Sequence, residues 1–191
     1  MRLSARGDSQ EALDELLDRV TKEVSTHIEE LIYGYGDEQL EEVIGELLIK
    51  KGKTLATAES CTGGYLAHKI TAIPGSSRYF IGSVIAYANQ VKENQLGVKE
   101  ETLREYGAVS EQTVIEMVKG TLNLLKTDMA VAISGIAGPG GGTPDKPVGT
   151  IWLAIGDRNQ TRTMKLQLSK DRLRNIQYTA MKALDLIRQF A

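Results

Sequence analysis

Cysteine is nearly absent from this 191-residue chain: Cys61 stands alone, so no internal disulfide can form. Histidine is almost as scarce, with only His27 and His68, which leaves little material for a Ser-His-Asp triad. No apolar run approaches the roughly 18 to 20 residues that span a bilayer, and residues 1–8 lack the apolar core of a signal peptide. Runs of Lys or Arg are missing too. With 23 basic against 25 acidic residues and a pI near 5.8, no broad polyanion-binding surface is indicated, and direct nucleic-acid binding is disfavoured. Nowhere do His, Cys, Asp and Glu recur at metal-ligand spacing, and Glu59 with Asp145 is too thin for a catalytic metal. The expectation is a cytoplasmic protein with metal-independent chemistry, no cofactor and no membrane segment.

What is present is enough apolar residue, 41% of the chain, for one sizeable core and an appendage. From Ser9 onward Leu13, Leu16, Leu17, Val20, Val24 and Ile28 recur at helical spacing, and this helix stops near Tyr33-Gly34-Tyr35-Gly36. That segment sets the expected boundary between a helical appendage, 1–36, and a main domain, 37–191. A second helix from about Asp37 carries Leu40, Val43, Ile44, Leu47 and Leu48 on one face, with Gly52 past its end as a C-cap. Strand and helix signals then alternate: strand 54–58, helix 63–71, strand 79–88, helices 90–96, 100–106 and 110–125, and a buried-type strand 129–134. Strands 150–155 and 161–168 flank the turn 156–160 as an antiparallel hairpin, and an amphipathic helix, 172–190, closes the chain. The pattern predicts an α/β domain of three layers, α/β/α, with a mixed, mostly parallel sheet.

Two glycine-rich turns follow apolar strands and are suited to bringing backbone against a ligand. The first is Ala58-Glu59-Ser60-Cys61-Thr62-Gly63-Gly64, where a strand gives way to a helix. Ser60 there is a candidate nucleophile, with the N–H groups of Thr62, Gly63 and Gly64 as candidate oxyanion donors. The plainer reading is that Ser60 and Thr62 only cap the helix. A serine nucleophile needs a base. His27 belongs to the appended helix, and His68 lies roughly 12 Å along the helix that Ser60 opens, at 1.5 Å per residue. Lys92, in Tyr87-Ala88-Asn89-Gln90-Val91-Lys92, is the candidate base, provided burial or a nearby positive charge lowers its pKa; otherwise it is a solvated helix residue, and Tyr87 a core one. Cys61 is the rival nucleophile, set against a buried thiol packing under the turn.

The second turn runs from Ser134 to Pro147 and includes Gly135, Gly138, Gly140, Gly141, Thr143 and Lys146. It has neither the Gly-Lys-Ser/Thr ending of a Walker loop nor the strand-turn-helix setting of a dinucleotide fingerprint, because a strand follows it. It reads as a rigid array of backbone donors with Lys146, suited to a phosphate or a carboxamide, or else as a structural crossover.

Thr57-Ala58-Glu59-Ser60-Cys61-Thr62-Gly63-Gly64, Pro74-Gly75-Ser76-Ser77, Tyr87-Ala88-Asn89 with Lys92, Gly107-Ala108-Val109-Ser110, and Gly135-Ile136-Ala137-Gly138-Pro139 with Lys146-Pro147-Val148-Gly149 follow one another in an order that resembles the CinA C-terminal domain family over about 37–191. The resemblance implies a nicotinamide mononucleotide deamidase, an amidohydrolase that yields nicotinate mononucleotide and ammonia. It implies Ser60 as nucleophile, Lys92 as base, Tyr87 near the reacting centre and Ser134 as an assisting hydroxyl. Thr62, Gly63, Gly64, Asn89, Gly135, Gly138, Gly140, Gly141, Thr143 and Lys146 are the expected substrate contacts. Residues 1–36 resemble the end of the connector that, in longer relatives, follows a molybdopterin-binding-like domain absent from this sequence. A small-molecule nucleotide substrate and a homo-oligomer are expected. The competing expectation is a non-catalytic nucleotide-binding or competence-related interaction module.

Overall fold

A computed structural model describes residues 1–191. The chain divides into two compact units, Met1–Gln39 and Leu40–Ala191. In the first, helix α1 (Gln10–Ile28) is capped by Ser9, whose Oγ accepts the Ala12 N–H at 3.4 Å. None of its residues is buried, so its apolar stripe is half open to solvent. A single 3₁₀ turn, Glu29–Leu31, follows, and the Tyr35 N–H then donates to the Glu38 carboxylate at 2.8 Å.

The second unit is built on a five-stranded sheet in the order β2-β1-β3-β4-β5. Its strands are β1 (Leu55–Glu59), β2 (Phe80–Ile85), β3 (Met129–Gly135), β4 (Thr150–Gly156) and β5 (Thr161–Gln167). Strand β1 runs parallel to β2 and β3, whereas β4 is antiparallel to both β3 and β5. The sheet is mixed, as expected, with the parallel pairings two of four rather than most. The reason is local: β3 and β4 are joined by a loop, and without a crossover helix the chain must return antiparallel.

Seven helices include α2 (Leu40–Lys51), α3 (Tyr65–Thr71), α4 (Asn89–Leu96), α5 (Glu100–Tyr106), α6 (Glu111–Leu125) and α7 (Arg172–Phe190) besides α1. Strand periodicity sorts the helices of the second unit onto two faces of its sheet. Leu55, Val131, Ile133, Leu153 and Ile155 point to one side, where they pack with Ile44 and Leu48 of α2, Leu66 and Ile70 of α3, and Ala183, Leu184 and Ile187 of α7. The alternate residues, Ala58, Ala130, Ala132 and Ala154, point to the other, under Val114, Met117 and Val118 of α6. Alanine on that face lets α6 lie close over the strands, and the branched residues opposite fill the wider space beneath three helices.

Several ends differ from the sequence expectation for identifiable reasons. Helix α2 begins at Leu40 and stops where Gly52 takes φ +60°, with the Lys53 N–H returning to the Leu48 carbonyl at 2.9 Å. The strand expected over 79–88 ends at Ile85, because the Ala86 carbonyl turns out of the sheet to meet Lys92. Helix α3 starts at Tyr65, since Gly63 and Gly64 stay in the turn. Ser110 caps α6 as expected, its Oγ accepting the Thr113 N–H at 3.2 Å.

Candidate active site

Strand β1 is buried along its whole length and delivers Ser60 to the carboxyl edge of the sheet. The Ser60 N–H still donates to the Ile133 carbonyl of β3 at 3.0 Å, so the nucleophile candidate is anchored one residue past the strand. The preceding Glu59 is fully buried, and its carboxylate folds over the start of α3. It accepts the N–H groups of Gly64 and Leu66 at 3.1 Å each and of Ala67 at 2.8 Å. The Gly63 N–H donates to the Ser60 carbonyl at 3.1 Å. The expectation that Gly63 and Gly64 supply oxyanion donors is therefore corrected: both N–H groups are already occupied. Those of Cys61 and Thr62 alone in this turn lack a carbonyl or carboxylate acceptor. The Thr62 hydroxyl is buried without a partner.

Lys92 rises from α4 into the same corner and is 1% exposed. Its Nζ lies 2.8 Å from the Ala86 carbonyl, 3.3 Å from the Tyr87 carbonyl and 3.3 Å from Ser60 Oγ. Burial pushes its pKa below the ordinary lysine value of 10.5, opposed by the nearby Cys61. None of the ion pairs in the structure involves Lys92. All three contacts are donated by Nζ, to the two carbonyls and to Ser60 Oγ; once burial has removed the third proton, the amine keeps two N–H donors for the carbonyls and turns a lone pair toward the Ser60 hydroxyl.

Ser60 and Lys92 open onto a cavity of about 280 Å³. Its second wall is the loop after β3, through Gly135, Gly138, Gly140 and Gly141, and Tyr87, Asn89 and Ser134 complete the set of expected residues that line it. Ser134 is 1% exposed and donates its hydroxyl proton to the Ala108 carbonyl at 2.6 Å, leaving only lone pairs for anything else. Tyr87 contributes its carbonyl to Lys92, while its phenol oxygen accepts from Arg172 Nη2 at 3.2 Å. At Gly138, φ is +94° and an added Cβ would sit 2.6 Å from Val148 Cγ1, so the loop needs glycine there.

Five expected contacts are not brought to this cavity. Thr62, Gly63 and Gly64 do not line it. Thr143 and Lys146 close a turn of their own, with Thr143 N–H to Lys146 O at 2.9 Å and Lys146 N–H to Thr143 Oγ1 at 3.1 Å. The Lys146 ammonium donates to the Tyr106 carbonyl at the end of α5, so it ties the loop to the domain and faces a different groove. Cys61 packs into the core, and burial pushes its thiol up to about 12, which leaves it protonated and poorly nucleophilic. No three His, Cys, Asp or Glu side chains come together in a way that could hold a metal. No helix is long and apolar enough to cross a membrane.

Sequence reasoning missed two residues of α7. Arg172 lines the cavity and donates to the Gly138 carbonyl at 2.9 Å, and Asn175, 2% exposed, donates to the Ala137 carbonyl at 2.9 Å. A signal existed for the first: an arginine in the first turn of a helix opposes the macrodipole, an arrangement that calls for another reason.

The model of the CinA C-terminal domain matches residues 37–191. A CinA-like protein of Cytophaga hutchinsonii is 47% identical over 189 residues, 99% of this chain and 45% of that protein. One of Kosmotoga olearia is 46% identical over 189 residues, covering 99% and 46%. The chain thus spans about half the length of these curated relatives. Among solved structures, a competence-damaged protein (CinA) superfamily protein from Enterobacter cloacae superposes with a TM-score of 0.76 at 32% identity, over 84% of this chain and 97% of that one. The competence/damage inducible protein CihA of Agrobacterium tumefaciens gives 0.74 at 36% identity, over 82% and 98%. The shared fold and the match across the second unit identify this chain as a member of the CinA family through its C-terminal domain.

Proposed function

We propose that this chain is a nicotinamide mononucleotide amidohydrolase working through a serine nucleophile and a lysine base. The observation that carries the reading is the buried Lys92 amine, unpaired with any acid, 3.3 Å from Ser60 Oγ, with both residues lining a cavity of about 280 Å³. Neutral Lys92 takes the Ser60 proton as Oγ bonds to the carboxamide carbon, and the carbonyl π pair moves onto oxygen. Of the two N–H groups in this turn without a carbonyl or carboxylate acceptor, that of Cys61, which lines the cavity, is the donor for that oxyanion. Collapse of the tetrahedral intermediate breaks the C–N bond, and the Lys92 ammonium returns its proton to the leaving nitrogen, which departs as ammonia. Water then gives a proton to Lys92 as its oxygen attacks the acyl carbon. Collapse frees the carboxylate product, and Ser60 Oγ recovers its proton. Arg172 is the cation of the cavity wall suited to the 5′-phosphate.

Ammonia release from nicotinamide mononucleotide by the full chain and by Ser60→Ala tests this. Release by the parent and its loss in the variant, with the fold intact by circular dichroism, is the expected result. Full activity in Ser60→Ala refutes the nucleophile. Ligand binding without turnover in the parent favours the interaction module instead.

A further inference from the structure

The first turn of α7 holds two consecutive carbonyls of the loop after β3. Asn175 Nδ2 donates to the Ala137 carbonyl at 2.9 Å and to the Ser169 carbonyl at 2.8 Å, and Arg172 Nη1 donates to the Gly138 carbonyl at 2.9 Å. Two carbonyls on one amide atom require that atom to be the nitrogen, and the Ser169 hydroxyl, 3.3 Å from Oδ1, agrees with the assignment. A trans peptide carries its N–H opposite its C=O, and the Ala137–Gly138 bond is trans. Drawing the Ala137 carbonyl onto buried Asn175 therefore turns the Gly138 N–H the other way. Gly138 lines the cavity, and no acceptor of the chain meets its N–H. Arg172 stands beside it with two of a guanidinium's five N–H donors occupied, by Gly138 O and Tyr87 Oη.

We propose that Asn175 is a positioning residue that aims the Gly138 N–H, alongside Arg172, at a phosphate monoester of the substrate. The proposal rests on the nucleotide reading above but not on the amide chemistry, and its test is separable from ammonia release. The ¹⁵N-labelled full chain is titrated with ribose 5-phosphate, and with ribose as the uncharged control, following the Gly138 amide resonance. The expected result is a saturable Gly138 shift with ribose 5-phosphate alone, and about tenfold weaker binding with loss of that shift in Asn175→Ala, the loss of one charge-assisted bond. A purely structural Asn175 would lower thermal stability and leave phosphate affinity and the Gly138 shift unchanged. An unmoved Gly138 amide in the parent chain, equal binding of ribose, or parent-like affinity in Asn175→Ala each overturns the proposal. The parent titration stands even where the variant fails to fold. Absence of ammonia release alongside a Gly138 shift would remove the amidase reading and leave this subsite.

Discussion

Replacing Lys92 by Met tests the site most directly, because it deletes the amine and keeps an unbranched side chain in a fully buried slot. Two effects oppose each other in stability. The Ala86 carbonyl loses its donor, at about 1–3 kcal/mol for a buried group left unpaired, while Tyr87 is exposed enough for water to replace its lost bond. Against this, the removed group is one whose charged form burial disfavours. The folded pKa of Lys92 lies below its value in the unfolded chain, near 10.5, so between those two values the unfolded state binds more protons. Parent stability therefore rises with pH across that window by about 1.4 kcal/mol per unit, and below it the penalty is present in full. Lys92→Met has no such slope.

Urea denaturation of both proteins from neutral to alkaline pH measures the difference. Subtraction removes most of the opposing contribution of Cys61, whose thiol, raised from 9.0 to about 12, lowers stability as pH climbs between those values. In parallel, kcat/KM of the parent for nicotinamide mononucleotide should increase with pH through the same depressed lysine pKa, because only the neutral amine is a base. Loss of that base should lower kcat by about 10² to 10⁴. Parallel stability curves for the two proteins, or an activity profile still rising as an unperturbed lysine titrates near 10.5, would refute a neutral Lys92.

Glu59→Ala removes the acceptor for three N–H groups at the start of α3, each a charge-assisted bond of about 1.5–3 kcal/mol, so the loss should reach at least about 3 kcal/mol in denaturant unfolding. An unchanged midpoint would show that water caps this turn just as well. Cys61→Ala should keep ammonia release within about threefold, and the parent thiol should react slowly with iodoacetamide near neutral pH. Rapid alkylation, or activity lost in Cys61→Ala and kept in Ser60→Ala, would transfer the nucleophile to sulfur.

The elements were legible in the sequence wherever periodicity is set by one face of burial. The alternation of Val131 and Ile133 with Ala130 and Ala132 marks β3 as a strand covered on both sides, and α7 shows its stripe from end to end. The pairing of Ser60 and Lys92 was legible by chemistry, as a candidate nucleophile at a strand-to-helix turn and the candidate base left over when histidine is scarce, and the fold brings the two within 3.3 Å. The failures share a cause: glycine and lysine report what backbone and charge can do, not which partner they meet. Gly63, Gly64 and Lys146 look like ligand donors in the sequence, but partners within the chain occupy them: Ser60 O and the Glu59 carboxylate from the same turn, and the Tyr106 carbonyl 40 residues away. Arg172 and Asn175 went unread because their task is to hold carbonyls 34 and 38 residues away, a relation no local pattern carries.

Glu59 then shows how a carboxylate can stand next to the proposed nucleophile, Ser60, without pairing with the proposed base, Lys92. An acid within hydrogen-bond reach of Lys92 would favour the ammonium and end its usefulness as a proton acceptor. The acid nearest Ser60 in the chain is instead buried on the far side of the turn, with its oxygens filled by three backbone N–H groups and its charge set against the positive end of α3. The same contacts neutralise that helix end, so α3 adds little positive potential to the cavity. The cation on the cavity wall that remains available to an anion is Arg172, carried by a different helix and bonded to the Gly138 carbonyl and the Tyr87 phenol oxygen. Lys92 and Arg172 thus line one cavity of about 280 Å³ with different partners, and under the proposed function the uncharged amine would meet the carboxamide and the guanidinium the phosphate.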